Sequence, residues 1–134
     1  MRAPATIRSL SEATLTDLRG SWIRSLRAAN KATKTIDSYL YALDQFTKWC
    51  TEHGHPTEPA EQRRADVEEY IAWLLANWSS GTAGVRYRGL RQWFRWLARE
   101  DEADDAMIGM THPKLDEVPP PIISDDDLRA LGEK

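Results

Sequence analysis

Apolar residues recur at helical spacing in four separate stretches of this 134-residue chain, and this pattern limits the fold more than any other feature. In each stretch they return every three or four residues, which places them on one side of a helix. No run alternates apolar and polar residues as a half-buried strand does. The sequence therefore predicts an all-α fold.

The four helices have readable ends. The first is predicted from Thr14 or Thr16 to Ala29, and the second from Lys34-Thr35 to a stop at Gly54. The third begins near Asp66, and the fourth runs from Thr82 to Arg99 after a break at 77–81. The side chains predicted to face inward are Leu15, Leu18, Trp22, Leu26, Ile36, Tyr39, Leu40, Leu43, Phe46, Cys50, Val67, Tyr70, Ile71, Leu74, Leu75, Ala83, Tyr87, Leu90, Phe94 and Leu97. A short apolar patch at 107–110 is expected to dock as a single turn.

The net charge of -3 conceals an uneven distribution. Residues 1–99 carry 15 Lys and Arg against 10 Asp and Glu, whereas residues 100–134 carry 3 against 11. A basic helical body joined to an acidic tail is typical of a polyanion-binding module with a linker, although basic bodies also occur in proteins that bind no nucleic acid.

One cysteine, Cys50, excludes an internal disulfide framework, and its inward position favours a small core residue over a nucleophile. No apolar run approaches the roughly 18 residues of a membrane span, and the N-terminus resembles no signal peptide. We expect a cytoplasmic protein with no membrane partner.

No catalytic, cofactor-binding or metal-binding pattern is present. His53 and His55 are two residues apart at a helix end, without a further ligand at a recognised spacing, so a solvated loop capped by Gly54 is expected there. His112 has no predicted partner. Neither a cofactor nor a metal is expected, and no catalytic residue is assigned.

Two helix starts carry polar residues suited to phosphate. Lys34-Thr35 opens the second helix and Thr82 opens the fourth, where free N–H groups and the helix dipole favour an anion. Both threonines are interpreted as N-caps. Lys34, Ser38 and Tyr41 share a polar stripe on the second helix. The fourth helix carries a stripe of arginines that, taken alone, slightly favours a solvated face.

Three motifs in fixed order resemble one family. They are Thr35-x3-Tyr39-x3-Leu43-x2-Phe46-x2-Trp49, then Asp66-Val67-x2-Tyr70-x2-Trp73-Leu74, then Thr82-x7-Leu90-Arg91-x2-Phe94-x-Trp96-Leu97. Together they resemble the N-terminal core-binding domain of tyrosine recombinases, the phage-integrase and Xer/Cre-like family. The stretch from Pro119 to Leu128 is similar to that family's interdomain linker and the opening of its catalytic domain.

The resemblance implies a four-to-five-helix, SAM-like orthogonal bundle that clamps one face of a recombination half-site in double-stranded DNA. The resemblance implies that Thr35, Ser38 and Thr82 occupy positions that contact DNA in the family, and Lys34 lies beside them. Tyr41 on the same stripe joins this set, and charge and helical geometry add three arginines, Arg86, Arg88 and Arg91.

Three residues depart from the family pattern. Val85 stands where a polar or basic residue is common, Gly89 offers no side chain for reading bases, and Asp37 would repel phosphate unless it accepts from a cytosine amine. The family's catalytic residues belong to a separate C-terminal catalytic domain, so this chain by itself is not expected to cleave DNA, although its parent protein is expected to be a recombinase.

The expected organisation is an N-terminal arm at 1–13, a core-binding domain at 14–111, and a linker with the start of a truncated catalytic domain at 112–134. Full-length family members form tetramers on DNA, and a monomer remains open for this chain. A helical protein-interaction module that uses Trp93, Trp96 and Tyr41 is the alternative from another class. One of those two tryptophans is expected at the edge of its helix. A small regulator that keeps only the DNA-binding arm is a third reading.

Overall fold

The structure, a computed structural model, describes residues 14–115. That stretch holds four α-helices and no strand, which confirms the predicted all-α class. The helices are α1 (Leu15–Ala28), α2 (Thr33–His53), α3 (Arg64–Asn77) and α4 (Ser80–Arg99), with a 3₁₀ turn at Pro59–Glu61 between α2 and α3. The expected arm at 1–13 and, beyond residue 115, the expected linker and start of a catalytic domain lie outside the described residues.

Capping residues set the helix ends. Thr14 and Asp17 form a capping box before α1. Gly54 ends α2 in the left-handed conformation at φ 77°, a backbone that glycine adopts without strain. The predicted start of α3 at Asp66 is two residues late. Asp66 is the third residue of the helix, where its carboxylate accepts from the backbone N–H of Arg63 at 2.8 Å.

Large aromatic side chains fill the core between the helices. The rings of Trp22 and Trp93 are 5.0 Å apart, and Phe46 lies 5.1 Å from Tyr70 and 6.5 Å from Phe94. Nearly all of the predicted inward positions are buried or packed against this core. Leu75 is the exception with 42% of its surface exposed, because it lies a further 100° around α3 from the buried Leu74.

Both Trp93 and Trp96 are buried, at 0% and 5% exposure, so the expectation that one of them lies at a helix edge is wrong. Their rings stack 5.9 Å apart, because α4 packs against its neighbours over more than half of its circumference. This removes two of the three residues on which the protein-interaction alternative depended. The exposed tryptophan is Trp78, at 66%, in the short connection between α3 and α4.

A compact turn follows α4, as predicted for 107–110. Met107 is buried, Tyr87 Oη donates to the Met110 carbonyl at 3.2 Å, and Arg64 donates to the Ile108 carbonyl at 3.1 Å. Gly109 adopts φ 85° here, close under the Arg64 guanidinium. The chain then runs back along α4, and the ring of His112 lies 4.7 Å from that of Tyr87, so His112 has the partner that the sequence did not indicate.

The loop after α2 is less solvated than predicted. His55 stacks on Trp49 at 4.5 Å, and its two ring nitrogens lie 2.7 Å from Asp66 and 3.2 Å from Glu69. These contacts hold the end of α2 against the start of α3. Cys50 is fully buried, as expected of a core residue. Among residues 14–115 no group of three or more His, Cys, Asp or Glu side chains could hold a metal ion.

Candidate nucleic-acid interface

The candidate interface is organised by a close crossing of α2 and α4 at Gly89. A β-carbon placed on Gly89 would lie 2.7 Å from Ala42 Cβ and 3.4 Å from Tyr39 Cα, so the two helices approach too closely there for any side chain. Gly89 is buried. Gly89 supplies no side chain for reading bases, as the sequence indicated, and its small size serves packing between the helices.

Arg86 lies one turn before this crossing and connects three helices. Its Nη1 donates to Tyr70 Oη on α3 at 2.8 Å, and its Cζ stands 4.9 Å from the ring centre of Tyr41 on α2. Tyr41 is 56% exposed, so this cation–π contact lies at the surface. The hydrogen bond engages one nitrogen of the guanidinium, which offers five N–H donors.

Tyr70 supports Arg86 from beneath. Burial raises the pKa of the Tyr70 phenol, while the charge and hydrogen bond of Arg86 act in the opposite direction. The phenol therefore stays neutral near neutral pH and accepts from Arg86 through its oxygen. Tyr70 was predicted as a plain core residue, and its ring is indeed buried. No sequence pattern indicates the hydrogen bond between Tyr70 and Arg86.

The polar stripe of α2 lies beside Arg86. Lys34, Ser38 and Tyr41 follow one another at four- and three-residue spacing and so share one side of the helix. Lys34 is exposed, and Ser38 is half-buried beside it. Thr35 is half-buried on the neighbouring side that faces the crossing, in register with Tyr39 and Ala42.

Neither threonine is the N-cap that the sequence predicted. Ala32 precedes α2 with an extended backbone and no side-chain cap, which makes Thr35 the third residue of the helix. Ser79 caps α4, and its Oγ accepts from the Thr82 N–H at 3.1 Å and donates to Thr82 Oγ1 at 3.1 Å. α2 thus begins at Thr33, one residue before the predicted Lys34-Thr35, and α4 begins at Ser80, two residues before the predicted Thr82. Within residues 14–115 the N-terminal N–H groups of α2 have no capping side chain, an arrangement suited to an anion.

Thr82 lies one turn above Arg86 on the same side of α4 and so joins this surface. Arg88 and Arg91 do not. Two residues along a helix turn through about 200°, which puts Arg88 on the side of α4 opposite Arg86. Arg91 follows Arg88 there, together with Arg95, and all three are exposed. Helical position therefore groups six of the eight predicted contact residues on the sides of α2 and α4 that meet at the Tyr41–Arg86 contact, and it separates these two arginines from them.

We call the six residues without Arg88 and Arg91 the α2–α4 surface. They are Lys34, Thr35, Ser38, Tyr41, Thr82 and Arg86.

Carboxylates near this surface are partly neutralised. Asp44 receives two hydrogen bonds from Arg19 of α1, each 2.8 Å long, so its charge is offset within the protein. Asp37 is exposed in the first turns of α2 and forms no ion pair within residues 14–115. It is the negative group that any phosphate near Lys34 would meet.

Comparison with known proteins identifies the fold and family. Residues 18–104, well over half of the chain, match the family described as phage integrase, N-terminal SAM-like domain. The chain belongs to this family. Its four described helices are the all-α, SAM-like bundle of an integrase N-terminal domain, as the motifs predicted.

Curated relatives are tyrosine recombinases. The chain is 28% identical over 99 residues to tyrosine recombinase XerC 2 of Ralstonia nicotianae, a match covering 69% of this chain and 28% of that protein. It is 32% identical over 72 residues to tyrosine recombinase XerC of Pediococcus pentosaceus, covering 53% of this chain and 24% of that protein. The chain thus spans about a quarter of the length of these relatives. This is a recombinase-associated domain.

A solved structure shares the fold. The integrase from mycobacterium phage Brujita superimposes with a TM-score of 0.63 at 23% identity, over 83% of this chain and 37% of that one. Among the described residues, no helix is long and apolar enough to span a bilayer.

Proposed function

We propose that this domain binds double-stranded DNA through the α2–α4 surface, as the DNA-binding arm of a tyrosine-type site-specific recombinase. One observation carries the proposal. Arg86 is fixed by Tyr70 and Tyr41 at the place where α2 and α4 meet, and it retains donors that are not used within residues 14–115. A guanidinium held in this way is pre-organised for a phosphate or for the O6 and N7 atoms of guanine.

The remaining residues of the surface have complementary roles in this proposal. Lys34 and the uncapped first turn of α2 receive phosphate, because both present positive charge or N–H donors. Ser38 and Tyr41 supply hydroxyls on the exposed stripe. The Thr82 hydroxyl already accepts from Ser79, which leaves its own proton for a DNA oxygen. Arg88 and Arg91 lie outside this surface, and we do not include them.

In the wider proposal, the domain covers one face of a recombination half-site and a separate catalytic domain covers the other. DNA cleavage belongs to that catalytic domain, and the described helices contribute positioning alone. Tetramer formation on DNA follows from the same analogy with the relatives. The core-binding boundaries at 14–111 and the linker from 112 stay part of the proposal.

Three matched substitutions test the surface. Thr35→Asp and Thr82→Asp place a carboxylate at the third position of their helices, which suits the helix dipole but opposes phosphate. Thr16→Asp makes the same change in the first turn of α1, where the neighbouring Leu15 N–H donates to Glu58, in the loop that follows the far end of α2. Fluorescence anisotropy with a labelled duplex should show at least tenfold weaker binding for the first two variants. The third should match the wild type.

Thermal melting supplies the folding control for these variants, since all three should melt close to the wild type. Equal loss of affinity in all three would mean that net charge alone governs binding. Unchanged affinity for Thr35→Asp and Thr82→Asp would place the duplex elsewhere. Either result contradicts the proposed surface.

Salt dependence tests the nature of the contact. If about four phosphates are neutralised, a fourfold rise in salt should weaken binding about a hundredfold. An affinity for the duplex that does not change with salt concentration, or no binding at low salt, would favour a protein partner instead.

A further inference from the structure

One side of the C-terminal half of α4 carries positive charge, and the segment that follows it carries negative charge. Arg91 and Arg95 border a hollow of about 270 Å³ between α4 and the turn after it. Just past the end of the helix, Asp101 and Asp104 border a second hollow of about 450 Å³. We call them the basic hollow and the acidic hollow. They are neighbours, because Ile108 lines both.

These four charges are not neutralised within residues 14–115. The two arginines and the two aspartates are exposed, and they form no ion pair and no side-chain hydrogen bond in that part of the chain. Asp105, which borders both hollows, differs from them, because its Oδ1 accepts from the Met107 N–H at 2.9 Å. Two positive and two negative groups on one face are therefore available to another molecule.

The charges are spaced symmetrically about Ala98. Arg95 stands three residues before Ala98, and Asp101 stands three residues after it. Arg91 stands seven residues before Ala98, and steps of three and seven residues return to the same side of a helix. Two copies of this face, laid together in opposite directions with Ala98 against Ala98, would bring the arginines of each copy to the aspartates of the other. The face is therefore complementary to itself.

The centre of the face is apolar and has few bulky groups. Ile108 is 71% exposed where the two hollows meet. Three alanines, Ala60, Ala98 and Ala103, line the acidic hollow and leave room for a second backbone. An apolar centre with charged groups around it is the usual anatomy of a protein–protein contact. A uniformly acidic or basic partner, nucleic acid included, matches only half of this face.

We propose that this face is the interface of a dimer, in which a second copy of the chain is related by a two-fold axis passing close to Ala98. In such an isologous contact both copies use the same patch, so every ion pair is formed twice. Arg91 and Arg95 of each copy pair with Asp101 and Asp104 of the other, and the two Ile108 side chains meet near the axis. The contact does not depend on DNA binding, because the α2–α4 surface lies on the other side of α4.

The dimer is expected to be weak because the face is small. Arg91 and Asp101 are about 15 Å apart along the helix axis, and a patch of that length does not reach the roughly 800 Å² per partner of a stable interface. Its ion pairs are exposed and are screened by salt. We expect a dissociation constant between micromolar and millimolar, which rises with salt concentration.

Sedimentation velocity of the full 134-residue chain at low salt, from micromolar to millimolar concentration, tests the dimer. The mean mass should rise towards twice that of one chain. The arginine variant, Arg91→Glu with Arg95→Glu, should raise the dissociation constant at least tenfold, because like charges then face each other. The acidic variant, Asp101→Asn with Asp104→Lys, should do the same. Asparagine is chosen at residue 101 because it tolerates the φ of 60° found there.

An equal mixture of these two variants tests the two-fold pairing itself. In the mixture the introduced glutamates face the introduced lysine, and the unchanged arginines face the unchanged aspartates, so association should recover towards that of the wild type. Arg24→Glu with Arg27→Glu, the same charge change on α1, should associate as the wild type does. Melting temperatures supply the folding control, and Asp104→Lys alone replaces the acidic variant if that variant melts early.

Three results would overturn the proposal: a wild type that stays monomeric at millimolar concentration, a mixture of folded variants that does not recover, or an equal loss of association in the α1 control. The arginine variant should also bind duplex DNA as the α1 control does. A selective loss of duplex binding by the arginine variant, with its self-association unchanged, would assign Arg91 and Arg95 to DNA and would likewise overturn the dimer.

Discussion

Replacing Gly89 by alanine tests the helix crossing on which the interface rests. A methyl group at this position would stand 2.7 Å from Ala42 Cβ, against about 3.5 to 4.0 Å for carbon atoms in favourable contact. Ala42 is fully buried, and Tyr39 offers only backbone at 3.4 Å, so neither neighbour can rotate away. The helices must therefore separate by about 1 Å.

The free-energy change has two opposing parts. Alanine gains about 1 kcal/mol over glycine inside a helix, but overpacking a core typically costs about 1 to 3 kcal/mol. Because the contact is rigid, we expect the upper part of that range and a net loss of about 1 to 2 kcal/mol. Gly20→Ala in α1 is the matched control, because nothing lies within 4 Å of its new methyl group. It should gain up to about 1 kcal/mol.

Urea unfolding followed by circular dichroism measures both variants. The free energy of unfolding should fall for Gly89→Ala and rise for Gly20→Ala, a difference of about 2 to 3 kcal/mol. The pair Gly89→Ala with Ala42→Gly removes the clash and should recover part of the loss. If Gly89→Ala stabilises the protein as Gly20→Ala does, the close crossing is refuted.

Three further predictions concern stability. Leu43→Ala and Phe94→Ala each remove a core side chain with at most 2% exposure and should lower the free energy of unfolding by about 2 to 5 kcal/mol in urea titrations. Ala32→Asp supplies the missing N-cap of α2 and should add about 1 kcal/mol, seen as a raised melting temperature, whereas an unchanged value would contradict the assigned helix start. Burial raises the pKa of Cys50 from 9.0 to about 12, so the unfolded chain loses this proton first as pH rises. Unfolding free energy should therefore fall between those pH values, and less steeply in Cys50→Ala.

Apolar periodicity was sufficient to predict the helices and their inward sides, because core packing repeats every three to four residues. It placed Leu43, Phe46 and Phe94 correctly in the core. Helix starts were less accurate, because capping depends on backbone geometry. Ala32, which has no capping side chain, still precedes α2, and Ser79 caps α4 in place of Thr82.

The candidate site was only partly predictable. Spacing within α2 identified the stripe of Lys34, Ser38 and Tyr41, because it depends on one helix alone. The contacts of Arg86 with Tyr41 and Tyr70 join three helices, and no local pattern encodes them. Helical geometry alone could have separated Arg88 from Arg86, since the two lie two residues apart.

The exposure of Trp78 could also have been predicted from the sequence. It falls in the break predicted at 77–81, where a large aromatic residue has no helix face to pack it, and it is indeed exposed.

The central claim is that duplex DNA contacts the α2–α4 surface, and an NMR titration of the chain with a short duplex at low salt tests it most directly. We expect backbone amide shifts to change at 33–41 on α2 and at 80–86 on α4, and the Arg86 side-chain signal to move with them. Signals of 106–110 should stay in place, because that turn lies on the other side of α4. Shifts confined to the turn and to Arg91 and Arg95, with α2 unchanged, would contradict the account.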